Sequence, residues 1–329
     1  MNFKYISFVD GPLAKYRLDI FLNSSPNLAE HYLFFCTEFS YNLYKDYHSK
    51  LEFIIIDDER SKFTSSLERE CFINVETERE WLANINNFYG VEIGKFYPYE
   101  FHRFALPILA KRKILNFCIV DTDVLTHPDS NIHKNIFNSI KPGFFYGHIF
   151  TGSSIRKAKT SFFTDTLKNR HGYVFHKRTD DFNELDGNIR GFHFKSVEDM
   201  LNFFRVWNDA VLTCLQLKDR ELPGSGNKIF NHMEWIISYL MQYTVDYKLV
   251  DYRQFFYYKG MDTIIHKTRV EDTIYIGPRS QWEHYNFNYE DTSTIAAFIQ
   301  NNKSQLEKYW REHVPVVEIT DTHIFTKIS

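Results

Sequence analysis

Residues 114–124 run Ile-Leu-Asn-Phe-Cys-Ile-Val-Asp-Thr-Asp-Val, an apolar stretch that ends abruptly in two aspartates one residue apart. Its shortness and its β-branched and aromatic content predict a central strand buried on both faces. Alternate side chains of a strand share a face, so Asp121 and Asp123 can point together where the strand opens into a loop. Two carboxylates at the end of a buried strand are costly unless something positive neutralises them. A divalent cation that prefers oxygen ligands, Mg²⁺ or Mn²⁺, is the common solution. In an open α/β sheet that strand end is also where ligands bind.

Working outward, the first 125 residues alternate strands with helices, which argues for parallel β-α-β units. Residues 3–9 (FKYISFV), 31–36 (HYLFFC) and 51–57 (LEFIIID) read as strands, with helices over 39–49, 65–88 and 99–112. The first strand ends at Val9 and a turn, Asp10-Gly11-Pro12; the third ends in Asp57 and Asp58. After the aspartate pair, 143–150 suits another strand. Residues 151–188 are polar, charged and without periodicity, too long for an ordinary loop, and read as an insertion. Residues 189–195 return to the sheet, and Ser196 with Glu198 opens a helix over 197–218. Pro223-Gly224-Ser225-Gly226 breaks the chain before an apolar helix over 228–243. Residues 247–258 look extended, 262–266 form a short apolar run closed by His266, and a helix over 292–312 and a strand over 314–320 finish the chain. The expected organisation is one α/β domain over 1–290 and a C-terminal helix and strand over 291–329 packed on it.

Composition bounds the function. The chain has 329 residues, 43% of them hydrophobic, enough for a sizeable core. A net charge of −3 gives no global field that favours nucleic acid or an acidic membrane. Aromatic residues reach 18%; they serve a bulky core or a sugar-facing surface, since sugar C–H faces stack on rings. Four cysteines (Cys36, Cys71, Cys118 and Cys214) form no CxxC pair, which argues against zinc and redox motifs. Cys36 and Cys118 fall in apolar runs as buried thiols. With no apolar leader and no spanning run, the expected location is cytoplasmic, with peripheral membrane association left open.

Residues 100–125, EFHRFALPILAKRKILNFCIVDTDVL, resemble the GT-A glycosyltransferase pattern, in which a "Y-x-R-F-x-L-P-x-L" helix precedes a strand ending in "D-x-D". The likeness is greatest to the glycogenin and lipopolysaccharide-galactosyltransferase branch. Arg103, Phe104, Leu106, Pro107 and Leu109 fall where the pattern wants them, as do Asp121, Asp123, Val124 and Leu125. The resemblance covers roughly a tenth of the chain. It implies a GT-A, Rossmann-like fold, with a mostly parallel central sheet flanked by helices. The implied activity is transfer of a sugar from a UDP- or GDP-type nucleotide-sugar donor to a saccharide, glycolipid or protein acceptor.

The same resemblance implies roles. Asp121 and Asp123 serve the Mn²⁺ or Mg²⁺ and the ribose, Asp123 as the surer metal ligand, with Thr122 between them at the donor. Arg103 faces the donor site. The third metal ligand is a histidine after a short apolar strand, which His266 fits, with Lys267 beside it for phosphate. In the family that histidine is followed by Gly and a Lys-Pro-Trp segment; here Lys-Thr-Arg-Val follows, and His284 is the competing position. Val9, Asp10 and Gly11 are nucleobase candidates, and Asp57 a ribose or base candidate. Glu234 is a carboxylate on an otherwise apolar helix, and in an inverting enzyme it would act as general base. Where the branch usually has Asp-Gln, this chain has Glu-Trp. Glu234 and Asp121 are therefore the catalytic candidates.

Other classes leave different marks. A nucleotidyltransferase acting on a sugar phosphate would carry a glycine-rich basic loop after the first strand, and Asp10-Gly11-Pro12-Leu13-Ala14-Lys15 is a poor version. A phosphohydrolase would carry its aspartates after the first strand, far before residue 120. A non-catalytic glycan-binding relative would leave Asp121, Asp123 and His266 apart in space.

Overall fold

The apolar run that ends at the aspartates is the centre of the sheet in this computed structural model. Described are residues 3–9, 18, 21–22, 25–56, 102–122, 124–127, 129–150, 168–169, 184–216, 234–243, 247–258, 261–270, 273–277, 318–319 and 324–325. Seven strands form the main sheet: β1 (Phe3–Phe8), β2 (Tyr32–Cys36), β3 (Phe53–Ile55), β4 (Asn116–Val120), β6 (Phe144–Phe150), β7 (Glu184–His193) and β8 (Lys248–Asp251). Their order is β3-β2-β1-β4-β7-β6-β8. Every neighbouring pair is parallel except those made by β7, which runs against both β4 and β6. The sheet is thus mostly parallel and α/β, as a GT-A-like fold requires. A smaller sheet joins β5 (Val124–Thr126) to β11 (Ile264–Val270) and β12 (Thr273–Gly277). Two short ladders pair β9 (Tyr257–Tyr258) with β10 (Met261–Asp262), and β13 (Glu318–Ile319) with β14 (Ile324–Phe325).

Strand β4 is buried along its whole length, and its period of two divides the core. Phe117 and Ile119 join one apolar cluster and Cys118 and Val120 the other. The first cluster is roofed by helices α2 (Ala105–Lys111), α4 (Val197–Gln216) and α5 (Glu234–Tyr243). The second lies under α3 (Ser130–Ser139) and α6 (Arg253–Phe256). A strand covered on both faces must be apolar throughout, which is why residues 116–120 carry no polar side chain after Asn116. Cys36 and Cys118 are buried free thiols, as expected.

Local chemistry explains most element ends. Ser196 caps α4 by accepting the Asp199 N–H at 3.0 Å, and Asp129 caps α3 by accepting that of Asn131 at 2.9 Å. Pro107 sits in the first turn of α2, where a missing N–H costs nothing. Helix α2 ends with the Lys113 and Ile114 N–H groups donating to Ala110 and Leu109 carbonyls at 3.0 and 2.9 Å. Lys113 takes φ 55°, the left-handed turn that swings the chain straight into β4.

Several boundaries differ from the sequence reading. The helix expected over 39–49 is α1 (Glu38–Leu43) and then a 3₁₀ turn, Lys45–Tyr47. The buried Tyr44 shares its N–H between the Ser40 and Tyr41 carbonyls, and the helix tightens there. The helix expected over 99–112 is described from His102, as a 3₁₀ turn leading into α2. The polar stretch expected over 151–188 loses residues 184–188 to β7: pairing with β6 overrides the local polarity of Glu184, Asp186 and Asn188. The extended run at 247–258 is interrupted by α6, which starts where Asp251 accepts the Arg253 N–H at 3.0 Å. The expected helices over 65–88 and 292–312, the break at Pro223–Gly226 and the division at 290–291 lie outside the described residues. Among the described residues, no helix is long and apolar enough to cross a membrane.

One buried pair makes stability depend on pH. Tyr5 hydroxyl donates to His133 Nδ1, and His133 Nε2 donates to the His127 carbonyl at 2.8 Å. Burial pushes the His133 imidazole down to about 4, with the His127 carbonyl bond opposing it and the rings of His127 and His31 adding to it. The unfolded chain binds that proton near its ordinary value of about 6.5, so between the two values the unfolded state holds more protons. The contribution is complete above pH ~6.5 and lost as pH falls towards ~4. We expect urea unfolding to show a loss on the order of 2 kcal/mol from this group between pH 7.5 and 4.5. His133→Gln should flatten that part of the profile; an unchanged profile would contradict the burial argument.

Candidate functional site

The carboxyl ends of β1, β2, β3 and β4 share one edge, and Asp121 leaves β4 there. The Asp121 carbonyl accepts the Val124 N–H at 3.0 Å, which closes a tight turn across Thr122. Its side chain is 18% exposed, so the carboxylate meets solvent while the strand behind it is buried. Thr122 is likewise half-buried. Val9, at the end of β1, is buried and its N–H donates to the Phe35 carbonyl at 2.9 Å. Ser7 Oγ donates to the Val120 carbonyl at 2.7 Å and ties the end of β1 to that of β4.

Immediately after the turn, β5 pairs antiparallel with β11. The register sets Ile264 across from Thr126, Ile265 across from Leu125, and His266 across from Val124. The backbone of His266 therefore lies beside the residue that follows Asp123 in the chain. The His127 N–H donates to the Thr263 carbonyl at 2.7 Å and extends the ladder. Lys267 is the next residue of β11 and faces Ile276 of β12. A segment more than a hundred residues distant is thereby brought to the aspartate turn.

Arg103 is wholly buried, which sets aside a surface salt bridge for it. Its Nε donates to Asn208 Oδ1 of α4 at 3.1 Å, and its guanidinium carbon lies 4.5 Å from the Phe104 ring centroid. The neighbouring His102 is the side chain that approaches the turn: its Nε2 stands 3.9 Å from Asp121 Oδ1. Its Nδ1 is 3.1 Å from Arg190 Nη1. Arg190 sits on β7 directly opposite Ile119 and is also wholly buried. A guanidinium can only donate, so Nδ1 accepts and the ring proton is on Nε2. Burial, and then the Arg190 charge, hold the His102 imidazole well below its ordinary range, so it is neutral.

Asp251, at the carboxyl end of β8, is gripped by Arg253, whose Nε and Nη2 donate to its Oδ2 at 3.1 and 2.6 Å. Burial alone would raise its carboxyl, but the bonds and charge of Arg253 outweigh that and lower it. A shallow cleft of about 690 Å³ lies at the other end of the strands, between Pro26, Glu30, Lys50 and Glu52. Those residues precede β2 and β3, so the cleft is remote from Asp121.

The remaining candidates are not all described. Asp10, Gly11, Asp57, Asp123 and His284 lie outside the described residues, as do the side chains of Glu234, His266 and Lys267. Glu234 is the first residue of α5. Among the described residues no three acidic, histidine or cysteine side chains cluster as metal ligands. His102, Arg190 and Asn208 were not anticipated. A signal existed for Arg190: a lone cation inside the strand-like run NIRGFHF.

No family model matches the sequence, and no curated protein matches it. Solved structures do. Mouse xyloside xylosyltransferase 1 in its apo form is 11% identical with a TM-score of 0.42, over 81% of this chain and 97% of that one. The mannosyltransferase Ktr4p from S. cerevisiae is 12% identical with a TM-score of 0.44, over 77% and 68%. The apo WbbM bifunctional glycosyltransferase is 10% identical with a TM-score of 0.33, over 72% of this chain and 37% of that one.

Proposed function

We propose that the chain is a metal-dependent glycosyltransferase of the glycogenin and lipopolysaccharide-galactosyltransferase type. It moves a sugar from a UDP- or GDP-type donor to a saccharide, glycolipid or protein hydroxyl. The observation that carries this reading is the pairing of β11 with β5, which sets His266 across from Val124 at the aspartate turn. Two carboxylates and an imidazole are a donor set suited to Mn²⁺, and the backbone register of His266 against Val124 supports that assignment. The residues that would hold the cation are Asp121, Asp123 and His266. When bound, Mn²⁺ or Mg²⁺ supplies Lewis-acid neutralisation of the charge that grows on the departing diphosphate.

The chain's own groups do the rest. Lys267, next to His266, pairs with phosphate oxygens. Thr122 and Val9, just beyond β4 and β1, lie on the donor side, and Asp10, Gly11 and Asp57, the next candidates along the chain from β1 and β3, are assigned to the nucleoside. If transfer inverts the sugar, Glu234, at the start of α5, is the general base that takes the proton from the acceptor hydroxyl as the sugar carbon is attacked and the diphosphate leaves. The test is a panel of UDP- and GDP-sugars incubated with the protein and Mn²⁺. We expect slow hydrolysis of one donor, abolished by a chelator and restored by Mn²⁺. No hydrolysis and no thermal shift with any donor would contradict the reading.

A further inference from the structure

Asp121 is reached from the protein interior by a chain of two side chains, Arg190 and His102. We propose that His102 and Arg190 are positioning residues for Asp121: Arg190 fixes the His102 ring with its proton on Nε2, and that N–H faces the Asp121 carboxylate. The claim that this bears on cation binding rests on the function proposed above; the geometry does not.

Arg190 Nη1 lies 3.1 Å from His102 Nδ1, and His102 Nε2 lies 3.9 Å from Asp121 Oδ1. Arg190 and His102 are buried to 0% and 2% exposure, while Asp121 keeps 18%. Two buried groups therefore lead to one that reaches solvent. The Phe8 ring packs on the imidazole, with centroids 4.8 Å apart at 40°. The register of β7 against β4 holds Arg190 opposite Ile119, two residues before Asp121. A separation of 3.9 Å is beyond a direct hydrogen bond. At that distance the N–H acts on the carboxylate as a neighbouring dipole. Groups that orient a ligating carboxylate in this way commonly change metal affinity by about 10- to 100-fold when removed.

The first test is the His102 tautomer, read by ¹⁵N NMR on the intact chain labelled at histidine. We expect protonated Nε2 and bare Nδ1, with the two forms mixing in Arg190→Leu; protonated Nδ1 in the unsubstituted chain would overturn the proposal. The second is Mn²⁺ binding followed by electron paramagnetic resonance. His102→Leu should weaken it about 10-fold, and His102→Gln, which returns an N–H at the ε position, should recover most of that loss. Equal affinity in all three proteins overturns the proposal, as does equal loss in the Leu and Gln variants. If the unsubstituted chain takes no Mn²⁺, the proposed function fails, and the positioning claim is judged by the Asp121 carboxyl ¹³C resonance. That resonance must move in His102→Leu and hold in His102→Gln; no movement in the Leu variant overturns the claim.

Discussion

Asp123→Ala is expected to lower donor hydrolysis by about 10³-fold, roughly 4 kcal/mol of transition-state stabilisation. In the chain Asp123 stands two residues after Asp121 and just before Val124, the residue paired with His266. Under the proposed function, removal of that carboxylate takes away a ligand and leaves the remaining set with less negative charge. Excess Mn²⁺ should recover part of the loss, because affinity as well as rate is affected. The fold should survive, since the buried residues of β4 end at Val120 and the substitution lies beyond them. Unchanged thermal unfolding would separate this loss from misfolding. A variant within about threefold of the unsubstituted rate would remove Asp123 from the chemistry.

Gly191→Ala is expected to be the most damaging small substitution in the sheet. Gly191 lies on β7 across from Cys118 on one side and Tyr146 on the other. A Cβ there would fall inside the Tyr146 ring. That ring cannot withdraw: Tyr146 is wholly buried, its hydroxyl donates to the Phe117 carbonyl at 3.3 Å, and Phe255 and Phe256 pack on it at 5.8 and 5.4 Å between centroids. Overpacking of this kind costs about 3 kcal/mol or more, a large share of a typical domain's stability. Urea unfolding should show it as a lower midpoint with an unchanged slope. In a Tyr146→Ala background the same substitution should cost far less, because the two side chains compete for one space. A fall under about 0.5 kcal/mol for Gly191→Ala alone would mean that the ring can move aside.

Strands β1, β2 and β4 follow from the sequence because they are buried on both faces, and such strands are apolar without interruption. The first half of β7 does not: it is held in the sheet by its pairing with β6, a tertiary effect that local propensity cannot report. The same limit applied to the site. The aspartate turn and the helix before it were visible as adjacent residues. That His266 would join the aspartates was an expectation taken from family resemblance, since no local pattern encodes a contact between residues so far apart; the β5–β11 register sets its backbone beside Val124. Arg103 drew attention because it falls where the family pattern has its arginine, yet its hydrogen bond runs inward to Asn208, and it is His102 that turns towards Asp121. Neighbouring side chains on a 3₁₀ turn of three residues point in different directions, and composition alone does not tell them apart.

A crystal soaked in Mn²⁺ and a nucleoside diphosphate, with anomalous diffraction collected at the manganese edge, tests the site most directly. One strong peak is expected at the carboxyl end of β4, within coordination distance of Asp121 or Asp123 and of His266, with diphosphate oxygens on its open side. A peak elsewhere, or none while the diphosphate is bound, would contradict a metal-assisted glycosyl transfer at this turn.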